Sequence, residues 1–269
     1  MNNIINLSSD NVIYKDSSLF GRIKDRLKVK YEGEYFIKDI NISIKKVRIP
    51  ANVDIKSYYR NVNIAKRFGN SSEVEMSPNI WSIIDYDIFN EYQKKLFAYS
   101  IVRSIKLSLR VRNKNINNSC ILIYDAKDKI NRYIIYELAK VARYIILLSD
   151  NLKLLKNIRE YVMANYGVTP IITRDNVYAL KEAEFIITSK NIEPKYKSSI
   201  WYLNNKFIPK NTQNLQINNV IYKTPWEIEG VEKNIQLIGA ILSQIGHNKR
   251  VEEDLKCNGI YIEKFNFIV

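Results

Sequence analysis

At 269 residues, 46% of them hydrophobic and with a mean hydropathy of −0.26, the chain has room for two modest domains or one large α/β domain, and its apolar content excludes a disordered polymer. A net charge of +14, concentrated in residues 1–119, favours solubility and attracts polyanions without specifying one; the heavy use of Ile, Lys, Asn and Tyr beside only 8 Gly and 6 Pro is the amino-acid usage of an AT-rich genome. One histidine and two cysteines exclude a Cys/His metal cluster and a disulfide framework, and with neither a basic leader before an apolar run nor a long uncharged apolar window, no signal peptide or membrane span is expected and a cytoplasmic protein is the default.

Residues 1–85 are the least regular part. "EYFIKDINISIKKVRIP" alternates as one or two strands until Pro50 breaks it, and "SSEVEMSPNIWS" reads as a loop. Two stretches, "GRIKDRLKVKY" and "KSYYRNVNIAKRFGN", combine cations with tyrosines as a tracker of a phosphate backbone does. Tyrosine is spread over the whole chain, however, and no nucleic-acid motif accompanies them, so nucleic acid is disfavoured as a partner. The segment "DIFNEYQKKLFAYSIVRSIKLSLRVRNKN" repeats Phe89, Tyr92, Leu96, Tyr99 and Ile105 near helical spacing. It predicts a connecting helix over 88–118 after an N-terminal α+β domain over 1–87.

From Ile121 the alternation is regular. "CILIYD" and "RYIILLSD" are apolar runs suited to strands buried on both faces, and between them "INRYIIYELAKVA" places Ile130, Ile134, Ile135, Leu138 and Val141 on one helical stripe. "NLKLLKNIREYVMANYG" is the next helix, turning Leu154, Leu155, Ile158 and Val162 inward, with Gly167 placed to stop it. "VTPIITRD" and "EFIITSK" are strands around the helix "NVYALKEA", and residues 200–204 and 218–223 complete six strands. Strands alternating with helices imply right-handed crossovers and a parallel sheet covered on both faces. The fold class is therefore α/β, a doubly wound, mostly parallel Rossmann-like sheet over 119–225. A smaller N-terminal α+β domain precedes it, and the helices and terminal strand of 226–269 are expected to pack back on that domain. In this last part residues 227–245 read as an amphipathic helix, started and anchored by Pro225 and Trp226, with Lys223 available to an interdomain cleft.

The order long helix, strand, loop, helix, strand, acid over residues 88–225 resembles the NAD(P)-binding domain of two-domain dehydrogenases of the shikimate dehydrogenase and glutamyl-tRNA reductase type. The resemblance implies a dinucleotide at the carboxyl ends of the strands, over the turn after Tyr124. In that family the turn is G-x-G-x-x-G, giving a tight bend, bare backbone against the pyrophosphate and close helix–strand contact. Here the three glycine positions are Asp125, Lys127 and Ile130. Asp125 tolerates a left-handed backbone, so the turn itself is expected to survive. Lys127 would fill the space of the phosphate or reach round as its ligand, and Ile130 would push the helix outward unless its neighbours are small. Asp128 is expected to cap the first amides of the helix, the groups a pyrophosphate would use. Asp150 matches the acid that holds a ribose hydroxyl, against the plainer reading that it caps the helix beginning at Asn151. Ser189, Lys190 and Asn191 sit where such folds touch a nicotinamide ribose.

No nucleophile elbow, Walker loop or zinc signature is present, and no catalytic residue carries over from the family. His247 reads as a surface cap beyond a helix end, and Cys120 and Cys257 as small apolar residues. NAD is the cofactor such a domain would take; the loss of the loop glycines disfavours it. The leading reading is a non-catalytic binding or regulatory module, a pseudoenzyme with a degenerate loop. Beside it stand an NAD(P)-dependent oxidoreductase with an atypical loop and, third, a polyanion-binding protein. A small molecule or protein partner and a homo-oligomer stay open, and no membrane partner is expected.

Overall fold

The computed structural model describes residues 2–9, 12–69, 74–78, 86–192, 198–203, 214–228, 230–245 and 250–267. His247 and Gly246, which the sequence places at a helix end, lie outside the described residues. The chain divides into two compact units, one of Met1–Leu96 with Ile221–Glu263 and one of Phe97–Val220 with Lys264–Val269.

The first unit is built on a mixed sheet. Strand β1 (Asn2–Ser9) buries Ile4, Ile5 and Leu7 and lies at the centre, parallel to β3 (Ile42–Ile49) on one side and β4 (Glu75–Pro78) on the other; β2 (Lys30–Ile37) completes the order β2-β3-β1-β4 and runs antiparallel to β3. The expected "EYFIKDINISIKKVRIP" strands are thus the β2–β3 hairpin, whose register shifts between Tyr31 and Gly33. One element differs from expectation. The stretch read as a loop contains β4, which is recognisable only through its pairing with β1. The two basic stretches are helices α1 (Leu19–Lys28) and α2 (Ile55–Lys66), each started by a side-chain cap: Ser18 takes the amide of Gly21 and Asp54 that of Ser57. Of the two tyrosines of α2, Tyr58 is buried in the core formed by Ile5, Leu7, Val47, Ile49, Val62, Ala65 and Met76, and Tyr59 is half-buried.

Two further helices belong to this unit; the first, α7 (Ile235–Ile245), begins later than the sequence suggests and is apolar but for Gln236, Ser243 and Gln244. Ile235 to Leu242 are all buried, so α7 packs as a core helix against β1 and β4. Asn234, not Pro225, caps it by accepting the amide of Leu237 at 2.9 Å. Helix α8 (Val251–Cys257) follows, and its buried Asp254 accepts the Tyr92 hydroxyl at 2.9 Å.

The second unit is a six-stranded, wholly parallel sheet. Helix α3 (Glu91–Val111) runs across the division between the units; within the second unit it buries Phe97, Ile101, Ile105 and Leu109, and satisfies its buried Ser104 and Ser108 hydroxyls on the carbonyls of Ser100 and Ser104, each at 2.7 Å. The strands then appear as β5 (Cys120–Tyr124), β6 (Tyr144–Leu148), β7 (Ile171–Thr173), β8 (Phe185–Thr188), β9 (Ser199–Tyr202) and β10 (Gln216–Ile217). Helices α4 (Lys129–Ala139), α5 (Leu152–Tyr166) and α6 (Asn176–Glu182) make the crossovers. Gly167 stops α5 in the left-handed conformation at φ 67°, which a glycine adopts without a Cβ penalty. One strand differs from expectation. Residues 219–223 form β11 (Asn219–Lys223), which pairs with β12 (Tyr261–Asn266), and the sixth place in the parallel sheet is taken by the two-residue β10.

The spatial order β7-β6-β5-β8-β9-β10 is the doubly wound order 3-2-1-4-5-6. The chain leaves β5 in one direction, through α4 to β6 and β7, and returns to the far side of β5 to add β8. Between β5 and β8 the two sets of crossovers part. A crevice at the carboxyl ends of these two strands follows from that topology.

Candidate functional site

The loops that leave β5, β6, β7 and β8 surround a cavity of about 580 Å³ at that crevice. Tyr124, Asp125 and Lys127 supply one wall, Ser149 and Asp150 a second, Arg174 and Asn176 a third, and Lys190 with Asn191 and Ile192 the last. The site thus mixes three cations with carboxylates, and each wall is fixed by a strand end.

Asp125 has φ 59°, so the bend expected of the first glycine is kept by an aspartate in the left-handed region. Two contacts hold it: the Asn131 amide of α4 donates to the Asp125 carbonyl at 3.0 Å, and the Ala126 N–H continues the ladder to the Leu148 carbonyl at 2.9 Å. Ile130, at the third glycine position, is buried, and the fully buried residue of the turn before it is the small Ala126.

Lys127 crosses the mouth of the crevice. Its Nζ donates to both carboxylate oxygens of Asp150, at 3.1 and 3.2 Å, and lies 3.7 Å from Asp125 Oδ1. Lys190 reaches Asp125 Oδ2 from the other side at 3.2 Å. The hydrogen bond from Lys127 holds the Asp150 carboxyl below the ordinary carboxylate range, and the same bond, with the charge of Asp125, pushes the Lys127 ammonium up. Both side chains are exposed to solvent, so water screens the pair.

Two expectations are corrected. Asp128 stands at the N-cap position of α4, yet its carboxylate makes no capping hydrogen bond. It accepts from Ser189 Oγ at 2.9 Å instead, joining the loop after β5 to the loop after β8. A carboxylate drawn sideways to a hydroxyl in a neighbouring loop is no longer over the helix axis. Nor does Asp150 cap α5. Asn151 does so, accepting the amide of Leu154 at 3.1 Å, which leaves Asp150 turned towards Lys127.

All five residues expected at a cofactor site, Asp125, Lys127, Asp128, Asp150 and Ser189, therefore fall in one cluster of loops and are linked to one another. Arg174 was not foreseen. It follows β7 directly, at the same end of the sheet, and its Nε donates to the Asp150 carbonyl at 3.1 Å; the sheet order was the signal that would have found it. Among the described residues no group of His, Cys, Asp and Glu could hold a metal ion, and Lys223, expected near a cleft, is an exposed residue at the end of β11.

Strand order and crevice define the second unit as a doubly wound α/β domain with a Rossmann-like sheet. No family model and no curated protein matches the chain. Solved structures do. The ligand-free 5-ketofructose reductase of Gluconobacter sp. strain CHM43 is similar over 96% of this chain and 99% of its own, at 11% identity and a TM-score of 0.41. Quinate dehydrogenase from Corynebacterium glutamicum, in complex with NAD, is similar over 75% of this chain and 80% of its own, at 10% identity and 0.35. Ligand-free aspartate transcarbamoylase from Trypanosoma cruzi, which is not a dehydrogenase, is similar over 79% and 72%, at 11% identity and 0.33. Likenesses of this size transfer no residue role and no activity to this chain.

Proposed function

We propose that the unit Phe97–Val220 with Lys264–Val269 is a non-catalytic, Rossmann-like binding or regulatory module whose phosphate loop is obstructed by its own side chains. The observation that carries this reading is the bridge from Lys127 to Asp150. Lys127 stands at the second glycine position of the loop, where a pyrophosphate needs bare backbone. Asp150 stands where a ribose hydroxyl would be held, and the lysine occupies that carboxylate. The bridge alone is a weak lock, since an exposed ion pair contributes about 0–1 kcal/mol. The stronger obstacle is steric. Neither Asp125 nor Lys127 offers the open backbone that close approach of a phosphate requires, and no rotation of a side chain restores a missing glycine.

One observation favours a second reading, an oxidoreductase with an atypical loop: Lys127, Arg174 and Lys190 line a cavity of about 580 Å³. Calorimetric titration of NAD, NADH, NADP and NADPH separates the two. The module reading expects no binding by the native chain. Low-micromolar binding that Lys127→Ala weakens would instead assign the lysine to the cofactor phosphates.

A further inference from the structure

Helix α1 is inverted. At about 100° per residue, Leu19, Ile23, Leu27 and Phe20 fall within one arc of about 100°, and Gly21 and Asp25 fall on the opposite side. An ordinary surface helix would bury the first set. Here Phe20 is 85% exposed, Leu27 75%, Leu19 72% and Ile23 61%, while Gly21 and Asp25 are buried. The reversal is built in rather than incidental. Asp25 is held inside by the Tyr14 hydroxyl, by Asn52 Nδ2 at 2.8 Å and by Asn61 Nδ2 at 3.4 Å, and a Cβ at Gly21 would collide with the Asp16 carboxylate.

Further exposed apolar side chains lie outside the helix. Tyr14 pairs with the 51–53 segment through two backbone hydrogen bonds, which brings exposed Val12 and Ile13 alongside the segment leading to exposed Ile55. The cations of α1 flank the apolar arc on both edges, Lys24 and Lys28 on one and Arg22 and Arg26 on the other, and its single acid is the buried Asp25.

We propose that this face is a docking surface for an anionic lipid bilayer, with α1 lying in the plane of the headgroups. The charge pattern decides between occupants. A second copy would set four cations of one α1 against four of another, which costs free energy, whereas a bilayer carrying anionic lipid offers the apolar side chains a hydrocarbon boundary and the flanking cations a negative surface at the same depth. No helix among the described residues is long enough and apolar enough to cross a membrane, and an in-plane helix needs none.

Co-sedimentation of the full chain with vesicles tests this, using phosphatidylcholine alone and phosphatidylcholine with one part in four of phosphatidylserine. Binding is expected to the mixed vesicles, at least about tenfold weaker to the neutral ones and weakened by salt. The double variants Phe20→Ser with Ile23→Ser, and Lys24→Gln with Arg26→Gln, are each expected to lower affinity about tenfold while the urea midpoint stays put. No binding to the mixed vesicles, equal binding to both, or native binding by both variants overturns the proposal. So does a dimer in ultracentrifugation that the apolar double variant dissolves while vesicles are ignored.

Discussion

Cys120 and Cys257 differ in a way that their sequence neighbourhoods do not reveal. Burial, with Glu182 and Glu184 nearby, pushes the Cys120 thiol up to about 11, whereas Cys257 is exposed at the end of α8. At pH 8 Cys120 therefore carries almost no thiolate, the form that reacts. Titration of the native chain with a disulfide reagent is expected to release one equivalent quickly and the second only on denaturation; two fast thiols would show that the end of β5 opens. At the crevice, the left-handed Asp125 was legible, because it follows from the chemistry of a single residue in a known turn, whereas the reach of Lys127 to Asp150 was not foreseen. The Asp128–Ser189 hydrogen bond was not, since its partners are 61 positions apart and meet only when β8 adds beside β5.

Among the elements, α1 gives the sharpest contrast between pattern and placement. Its apolar residues recur at helical spacing yet face solvent, and the neutral donors Tyr14, Asn52 and Asn61 make the inward carboxylate of Asp25 tolerable. The usual ranking of substitutions is accordingly reversed here. Asp25→Ala would leave buried donors without an acceptor and is expected to cost about 3 kcal/mol, whereas Ile23→Ala on the exposed arc should stay within about 0.5 kcal/mol. Urea melts of the two variants check this, and a larger loss for Ile23→Ala would place that side chain in a contact. Elsewhere the elements from β5 to β9 were legible because central strands are apolar runs between helices with recognisable caps. β4 and β10 were not: at four and two residues, each exists only through the parallel neighbour that holds it.

At the scale of the molecule, the chain divides into two units, each assembled from separate segments. Residues 226–269 were expected to pack back on the N-terminal part, but hydropathy along the chain does not say that β1, more than 200 positions away, is what α7 covers. Truncating α7 at its buried face tests the assembly. Ile238→Ala is expected to cost about 2–5 kcal/mol, and hydrogen exchange should show the loss at the amides of β1 and β4 while β5, β6 and β8 keep their protection. Equal loss in both units would mean that they unfold as one.

The same discontinuity orders events on the ribosome. Residues 97–220 leave the exit tunnel as a contiguous run, so the six-stranded parallel sheet can form before residues 264–269 complete its unit. The sheet built on β1 has a longer wait, because the helix that covers it is specified by residues 235–245. At translation speeds of roughly 5–20 residues per second, the apolar side chains of β1 wait on the order of ten seconds for their cover. Strand β1 is thus made long before the helix that covers it, and that interval is when a nascent-chain chaperone would find it.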